Sequence, residues 1–335
     1  MVVGRLINNG SGKSVLLLPF TYLGQRISAV SSYVFTNHAA AERGQNDKNN
    51  KLREAIISAI INDRIPATYY LTKRWYALKS AVLGFLHQCV GEEGYSRVEC
   101  IPAAGRGYNY DFSVVIIGAD GETKTTKHIE FKFNATKISD TPQFVSPMKP
   151  SQYLSGSYEE YFYDRYMDKI AAAASPEATT TTKPDRTDWL KQIHNNAPLC
   201  VKHLQDKYYA GCANSSQYTK STHDIAFYEL AKKLSAESIR AFITEHDLNI
   251  VKLSEYLRES QYGKIYMLFQ PATATVSTPT ISIQRVDEAD YNIVSCTKNP
   301  SKSRYDCLTE SGKKISVLLR WKNGNGIAFP AFQIS

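Results

Sequence analysis

The chain has 335 residues, of which 43% are hydrophobic and 21% are charged, a composition typical of a globular protein. These proportions exclude a largely disordered chain, a collagen-like repeat and a coiled-coil rod, and the length allows two or three domains. Lysine and arginine number 40 against 32 aspartates and glutamates, which gives a net charge of +8. This surplus favours a polyanionic partner but does not require one.

No run of about 18 apolar residues occurs in the sequence, so we expect no membrane-spanning helix. The best candidate, residues 15–20, is too short and follows polar residues, an order that does not fit a secretory signal. The 6 cysteines are scattered through a chain that is too large to need disulfide bonds for stability. We therefore expect an intracellular protein with reduced thiols.

The first half of the chain is predicted to contain helices followed by strands. Helical periodicity extends from about residue 13 to 91, and two segments, 51–62 and 74–90, place their apolar side chains on one helix face. From 97 to 134 the period changes to two, which indicates strands. A helix is predicted next at 158–174.

The second half continues with helices and ends in strands. A connector at 175–188 is followed by predicted helices at 189–209 and 223–260, and β-rich segments occupy the chain from 264 onwards. The expected fold is α/β, a mixed sheet flanked by helices. The predicted regions are an N-terminal helical region (1–73), a core (74–174), a linker and helical region (175–262) and a β-rich C-terminal region (263–335).

The most informative stretch is a predicted β-hairpin at 110–134. Asp120-Gly121 separates two alternating runs, which is a strong hairpin signal. If these two residues form the loop, Asp111 lies directly opposite Glu130, with Cβ atoms about 4.5–5.5 Å apart. Lys132 shares their face, while aromatic and aliphatic side chains share the other.

Two opposed carboxylates repel each other unless a cation lies between them, and hard divalent cations bind carboxylate oxygens. The pattern therefore indicates a candidate Mg²⁺ site with a lysine beside it. A solvent-facing hairpin with ordinary surface charges is the competing interpretation. Both interpretations stay open, and the metal site also depends on the predicted register, because a slip of one residue separates the pair.

Asp111, followed after 18 residues by Glu130-Phe131-Lys132, resembles the signature of the PD-(D/E)XK nuclease superfamily. The upstream helix, strand and hairpin occur in the order of that superfamily, although Tyr110 replaces the signature proline. The resemblance implies a restriction-endonuclease-like core and Mg²⁺-dependent hydrolysis of DNA phosphodiesters, with Mn²⁺ as a substitute for Mg²⁺. It implies metal ligation by Asp111, Glu130 and the Phe131 carbonyl, and activation of the attacking water by Lys132.

Several basic and polar residues are candidates for contacts with nucleic acid. Residues 298–322 contain seven basic and two acidic residues with interleaved aromatics, a pattern that suits phosphate contacts and base stacking. A solvated basic face fits the same pattern. The candidates in this segment are Arg304, Lys313, Lys314, Arg320 and Lys322. Three more candidates lie near the predicted hairpin, namely Arg106, Lys137 and Gln143.

The favoured prediction is a metal-dependent endonuclease that hydrolyses DNA, and both site-specific and non-specific cleavage stay open. One centre cuts one strand, so double-strand cleavage would need a homodimer or repeated nicking. Two alternatives stay open: an RNA-cleaving nuclease, and a nucleic-acid-binding scaffold that keeps the fold without cleavage.

Overall fold

The computed structural model describes residues 5–8, 14–36, 43–91, 95–103, 108–140, 143–144, 149–174, 183–193, 201–213, 218–273, 277–323 and 327–335. Its helices are α1 (Arg43–Ile61), α2 (Lys73–Val90), α3 (Tyr158–Ala174), α4 (Arg186–Gln192), α5 (Lys202–Gly211), α6 (Thr222–Glu245) and α7 (Ile250–Gln261). Its strands are β1 (Arg5–Asn8), β2 (Ser14–Leu17), β3 (Phe20–Tyr22), β4 (Gln25–Ile27), β5 (Arg97–Pro102), β6 (Phe112–Ile117), β7 (Thr123–Phe133), β8 (Gln143–Phe144), β9 (Lys264–Gln270), β10 (Thr280–Gln284), β11 (Ile293–Asn299), β12 (Arg304–Thr309), β13 (Lys314–Asn323) and β14 (Ala328–Ile334). The expected α/β class with a β-rich C-terminal region is confirmed.

The chain forms two compact units, and their boundaries differ from the four predicted regions. The first unit combines Met1–Thr141 with Gly263–Val286, and the second combines Pro142–Tyr262 with Asp287–Ser335. The first unit includes β9 because this strand is hydrogen-bonded to β7, more than 130 residues earlier in the chain. The predicted C-terminal region is therefore divided between the two units.

The first unit contains a mixed five-stranded sheet in the order β10-β9-β7-β6-β5. β7 and β9 run parallel, and the other neighbours run antiparallel. The apolar stripes of α1 and α2, including Ile56 and Val82, join Val114 of β6 and Met267 of β9 in one buried cluster. The amphipathic faces predicted for these two helices are confirmed, and their burial against the sheet explains the 3.6-residue period.

The hairpin of β6 and β7 has the predicted register in its strands but a longer loop. The amide of Gly118 donates to the Glu122 carbonyl, and Gly121 takes a φ of +83°, so three residues form the loop. A bulge between Ile116 and Ile117 then shifts the register by one residue. Beyond it, Phe112 pairs with Ile129, as the predicted register requires.

The prediction of helix from residue 13 was wrong for the N-terminal part. Residues 14–27 contain β2, β3 and β4. Leu23 and Gly24, with φ angles of 48° and 71°, form the tight turn between β3 and β4. Consecutive positive φ angles suit a two-residue hairpin and stop a helix, so this local geometry overrides the apolar periodicity.

The second unit contains an antiparallel sheet in the order β11-β12-β13-β14-β8, together with α3–α7. The predicted helix at 189–209 is replaced by α4 and α5, and residues 194–200 lie outside the described part. The predicted helix at 223–260 is two helices, because the segment 246–249 takes non-helical backbone angles at His246 and Asn249. Among the described helices, none is both long and apolar enough to cross a bilayer.

Candidate active site

Asp111 and the β7 residues Glu130 and Lys132 meet at one end of the hairpin. The amide of Asp111 donates to the Ile129 carbonyl over 2.8 Å, which extends the β6–β7 ladder by one residue. The Asp111 carboxylate in turn accepts from the Phe131 amide, with Oδ2 2.7 Å from the nitrogen. These two bonds fix Asp111 beside the segment that carries Glu130 and Lys132.

Two lysines hold the Glu130 carboxylate. Lys132 Nζ lies 2.5 Å from Oε1, and Lys264 Nζ lies 3.3 Å from Oε2. Lys264 begins β9, and its ammonium also donates to the carbonyl of Asn109 over 2.6 Å. The sequence analysis did not predict this second lysine, because it depends on the parallel pairing of β7 with β9.

Helix α1 supplies the opposite wall of a cavity of about 390 Å³ above these groups. Four of its residues line the cavity together with Asp111, Glu130 and Lys132, namely Asn46, Asn50, Arg53 and Glu54. Asn50 follows Asn46 by four residues and precedes Arg53 and Glu54 by three and four, and this spacing places them on one helix face.

Arg53 is a buried cation in this wall. Its Nε donates to the Val34 carbonyl over 2.7 Å, its Nη1 donates to Asn50 Oδ1 over 2.6 Å, and its guanidinium lies 3.6 Å from the centre of the Phe133 ring. Burial lowers the pKa of Arg53 to about 10. These contacts hold Asn50 at the rim of the cavity.

Two carboxyl groups of the cavity, those of Glu54 and Asp111, have raised pKa values. Burial raises the pKa of Glu54 from 4.5 to about 8, and the charges of Asp111 and Glu130 add to that rise against the opposing effect of Lys51. Burial, followed by repulsion from Glu130, raises the pKa of Asp111 from 3.8 to about 6. The hydrogen bond from Phe131 and the nearby lysines oppose this second shift. The three carboxyl groups are thus close enough to repel one another.

Burial and charge pairing also have opposing effects on the pKa of Lys264. Burial lowers the pKa of its ammonium, whereas the charge and hydrogen bond of Glu130 raise it. The side chain is only 4% exposed, so it is tied to the carboxylate within the protein rather than to solvent.

The donor set suits a hard divalent cation, because carboxylate and carbonyl oxygens are the ligands that Mg²⁺ prefers. A cation here would also relieve the repulsion that raises the pKa values of Asp111 and Glu54. Within the described residues, no three His, Cys, Asp or Glu side chains are arranged as a ready-made metal site. The residues that would hold the ion are Asp111, Glu130 and the carbonyl of Phe131. To bind the ion, Glu130 would first have to give up its contact with Lys132 or with Lys264.

The other predicted site residues lie elsewhere. Arg106, and the side chains of Gln143 and Lys322, lie outside the described residues. Lys137 is exposed in the first unit, and its backbone amide donates to Asp140. The second unit contains the remaining candidates, namely Arg304, Lys313, Lys314, Arg320 and Lys322, and also the backbone of Gln143 in β8.

Charge pairing reduces the predicted basic face of the second unit. Arg304 pairs with Asp306 over 2.7 Å, and Lys313 pairs with Asp290. Arg320 donates to Gln333 over 2.9 Å, whereas Lys314 is simply exposed.

Sequence reasoning missed the contributions of Arg53, Glu54 and Lys264. Glu54 lies in an earlier helix than the one next to the hairpin, so its position in the sequence does not connect it with the site. A signal was available in both segments. Arg53 and Glu54 interrupt the apolar stripe of α1, and Lys264 is the one charged residue of β9, followed by five residues that are all buried. Charged residues at such positions indicate buried ionic contacts.

No profile of a known protein family and no curated protein sequence matches this chain.

Proposed function

We propose that the chain is a Mg²⁺-dependent nuclease that hydrolyses phosphodiester bonds in DNA. One observation carries the proposal: Asp111, Glu130 and Lys132 meet in a single cavity, where the charge of Glu130 helps to raise the pKa of the Asp111 carboxyl group. A solvent-facing hairpin would not bury these groups. The same three residues carry the resemblance to the PD-(D/E)XK superfamily, so the fold proposed for the first unit is restriction-endonuclease-like.

Each residue has a proposed role. Asp111, Glu130 and the Phe131 carbonyl would hold the cation. The Lys132 ammonium would orient the attacking water and stabilise the negative charge that develops on it as its proton passes to solvent. Bound there, Mg²⁺ would supply positive charge to the phosphate in the transition state, and Mn²⁺ would substitute for it. Glu130 positions the Lys132 ammonium through the 2.5 Å contact.

The proposed substrate is DNA, which the surplus of positive charge favours. Lys314 and Arg320 are exposed and are the proposed phosphate contacts of the second unit. RNA is the alternative substrate of the same chemistry. A non-catalytic nucleic-acid-binding role is a second candidate, and one observation favours it: both carboxylate oxygens of Glu130 are hydrogen-bonded to lysines.

The test is incubation of the purified chain with supercoiled plasmid and with a structured RNA, each in Mg²⁺, Mn²⁺ or chelator. We expect nicking or linearisation of the plasmid in either metal and none in chelator. Lys132→Ala should reduce the cleavage rate by a factor of about 100 or more, while DNA binding persists. Lys124→Ala, at an exposed position of the same strand, is the matched control and should cleave like the wild type.

The outcomes separate the candidates. Cleavage that chelator does not affect, or that survives Lys132→Ala, would refute the proposed site. Binding without cleavage in any metal would establish the non-catalytic role, and cleavage of RNA alone would change the substrate. Nicked circles that accumulate before linear DNA would indicate that single centres act one at a time, whereas direct linearisation would indicate a dimer.

A further inference from the structure

Lys264 is buried beside the proposed metal site and has two partners there. It is 4% exposed, at the start of a strand whose next five residues, 265–269, are all buried. Its ammonium contacts the Asn109 carbonyl at 2.6 Å and Glu130 Oε2 at 3.3 Å. A buried ammonium is costly unless it is paired, so these contacts are what allow a lysine at this position.

The two lysines balance the charges of the opposed carboxylates. Asp111 and Glu130 carry two negative charges when ionised, and Lys132 and Lys264 carry two positive charges. Each lysine contacts a different oxygen of Glu130. A divalent cation that binds Glu130 must therefore replace one of these contacts, and it is repelled by both ammonium groups.

Lys264 has little freedom to leave. Its side chain is less exposed than that of Lys132, at 4% against 15%, and its bond to the Asn109 carbonyl holds it two residues before Asp111. Lys264 therefore has less room than Lys132 to move away from a cation that binds Glu130.

We propose that Lys264 is a positioning residue that competes with the divalent cation for Glu130 and so keeps the metal affinity of the site low. This inference rests on the metal site of the proposed function. The proposal and a purely structural role of Lys264 predict opposite changes in metal affinity when the lysine is removed. If Lys264 only braces Glu130 and the segment before Asp111, its removal weakens metal binding. If it competes, its removal tightens metal binding.

The experiment measures Mn²⁺ binding to the full chain, without DNA, by electron paramagnetic resonance of the free ion and by calorimetry. The variants are Lys264→Met, which keeps the length and removes the charge, and Lys264→Gln, which keeps a polar end. Lys264→Arg preserves the charge. Lys124→Met removes an exposed charge from β7 and is the control. Circular dichroism checks that each variant is folded.

We expect Lys264→Met to bind Mn²⁺ at least about fivefold more tightly than the wild type, within the usual range of coupling between two sites. Lys264→Gln should shift the affinity in the same direction and serves as the test if the methionine variant does not fold. Lys264→Arg and Lys124→Met should stay within about twofold of the wild type.

Equal or weaker Mn²⁺ binding by a folded charge-removing variant would overturn the competition and leave the proposed nuclease intact. A wild-type chain that binds no Mn²⁺ at millimolar concentration, in a folded state, would instead refute the metal site, and this inference with it. Because neither measurement uses cleavage, the two failures are distinguishable.

Discussion

Replacing Glu54 with glutamine should stabilise the protein at neutral and alkaline pH. Glu54 has a pKa of about 8 in the folded protein against an ordinary value of 4.5, so the folded state binds its proton more tightly than the unfolded state does. Stability is therefore complete below the ordinary pKa and falls as the pH rises towards the folded one. Glutamine carries no charge and avoids this loss.

The magnitude follows from the size of the shift. One pKa unit corresponds to about 1.4 kcal/mol. At pH 7 Glu54 is mostly protonated in the folded state and ionised in the unfolded state, so the uptake of this proton on folding costs about 3 kcal/mol. Relaxation of the cavity and entry of water reduce that figure. We expect Glu54→Gln to raise the free energy of unfolding by about 1–3 kcal/mol near pH 7 and by close to nothing near pH 4.5.

The assay is urea unfolding of the wild type and Glu54→Gln, in chelator, over a range of pH. The matched control is Glu122→Gln, at an exposed position next to the hairpin loop, which should change the free energy of unfolding by less than about 0.5 kcal/mol. A Glu54→Gln variant that is less stable than the wild type near pH 8, or whose gain does not depend on pH, would refute the electrostatic reasoning.

Three further results are expected. Mn²⁺ should raise the melting temperature more at about pH 8 than at about pH 5. The reason is that protons compete with the cation for Asp111, whose pKa is about 6. Equal rises in melting temperature at both pH values would argue against binding at Asp111. Phe269→Ala should lower the free energy of unfolding by about 3–5 kcal/mol in urea, because Phe269 is fully buried and its ring centre lies 5.0 Å from that of Phe35; a loss below about 1 kcal/mol would contradict this packing. Cys296 and Cys307 face each other across β11 and β12, with Sγ atoms 3.1 Å apart. Oxidation by diamide should therefore join them in a disulfide, which mass spectrometry detects as the loss of two hydrogens, with Cys307→Ser as the control. Failure to form this disulfide would contradict the strand register.

The sequence predicted the hairpin and the pairing of Asp111 with Glu130, because local signals determine both. Alternation assigns each side chain to a face, and the Asp120-Gly121 pair places the turn. The exact loop was wrong by one residue, yet Asp111 still meets Glu130, because the bulge between Ile116 and Ile117 compensates for the longer loop. A bulge depends on packing around the hairpin and leaves no clear signal in the sequence.

The rest of the site depends on contacts between distant segments. Lys264 reaches Glu130 only because β9 lies parallel to β7, and no local pattern specifies which strand pairs with which. Glu54 reaches the cavity through the packing of α1 on the sheet. Periodicity predicted both elements correctly, as a helix and a strand, but it could not place them beside the hairpin. The domain boundaries differ for the same reason.

The most direct test of the account is the position of a bound cation. Crystals of the full chain soaked in Mn²⁺ should show an anomalous scattering peak within metal–oxygen bonding distance, about 2.0–2.3 Å, of carboxylate oxygens from both Asp111 and Glu130. The peak should vanish in Asp111→Asn. A peak that contacts neither carboxylate, or no peak in crystals that diffract well, would contradict the claim that this pair exists to capture a divalent ion.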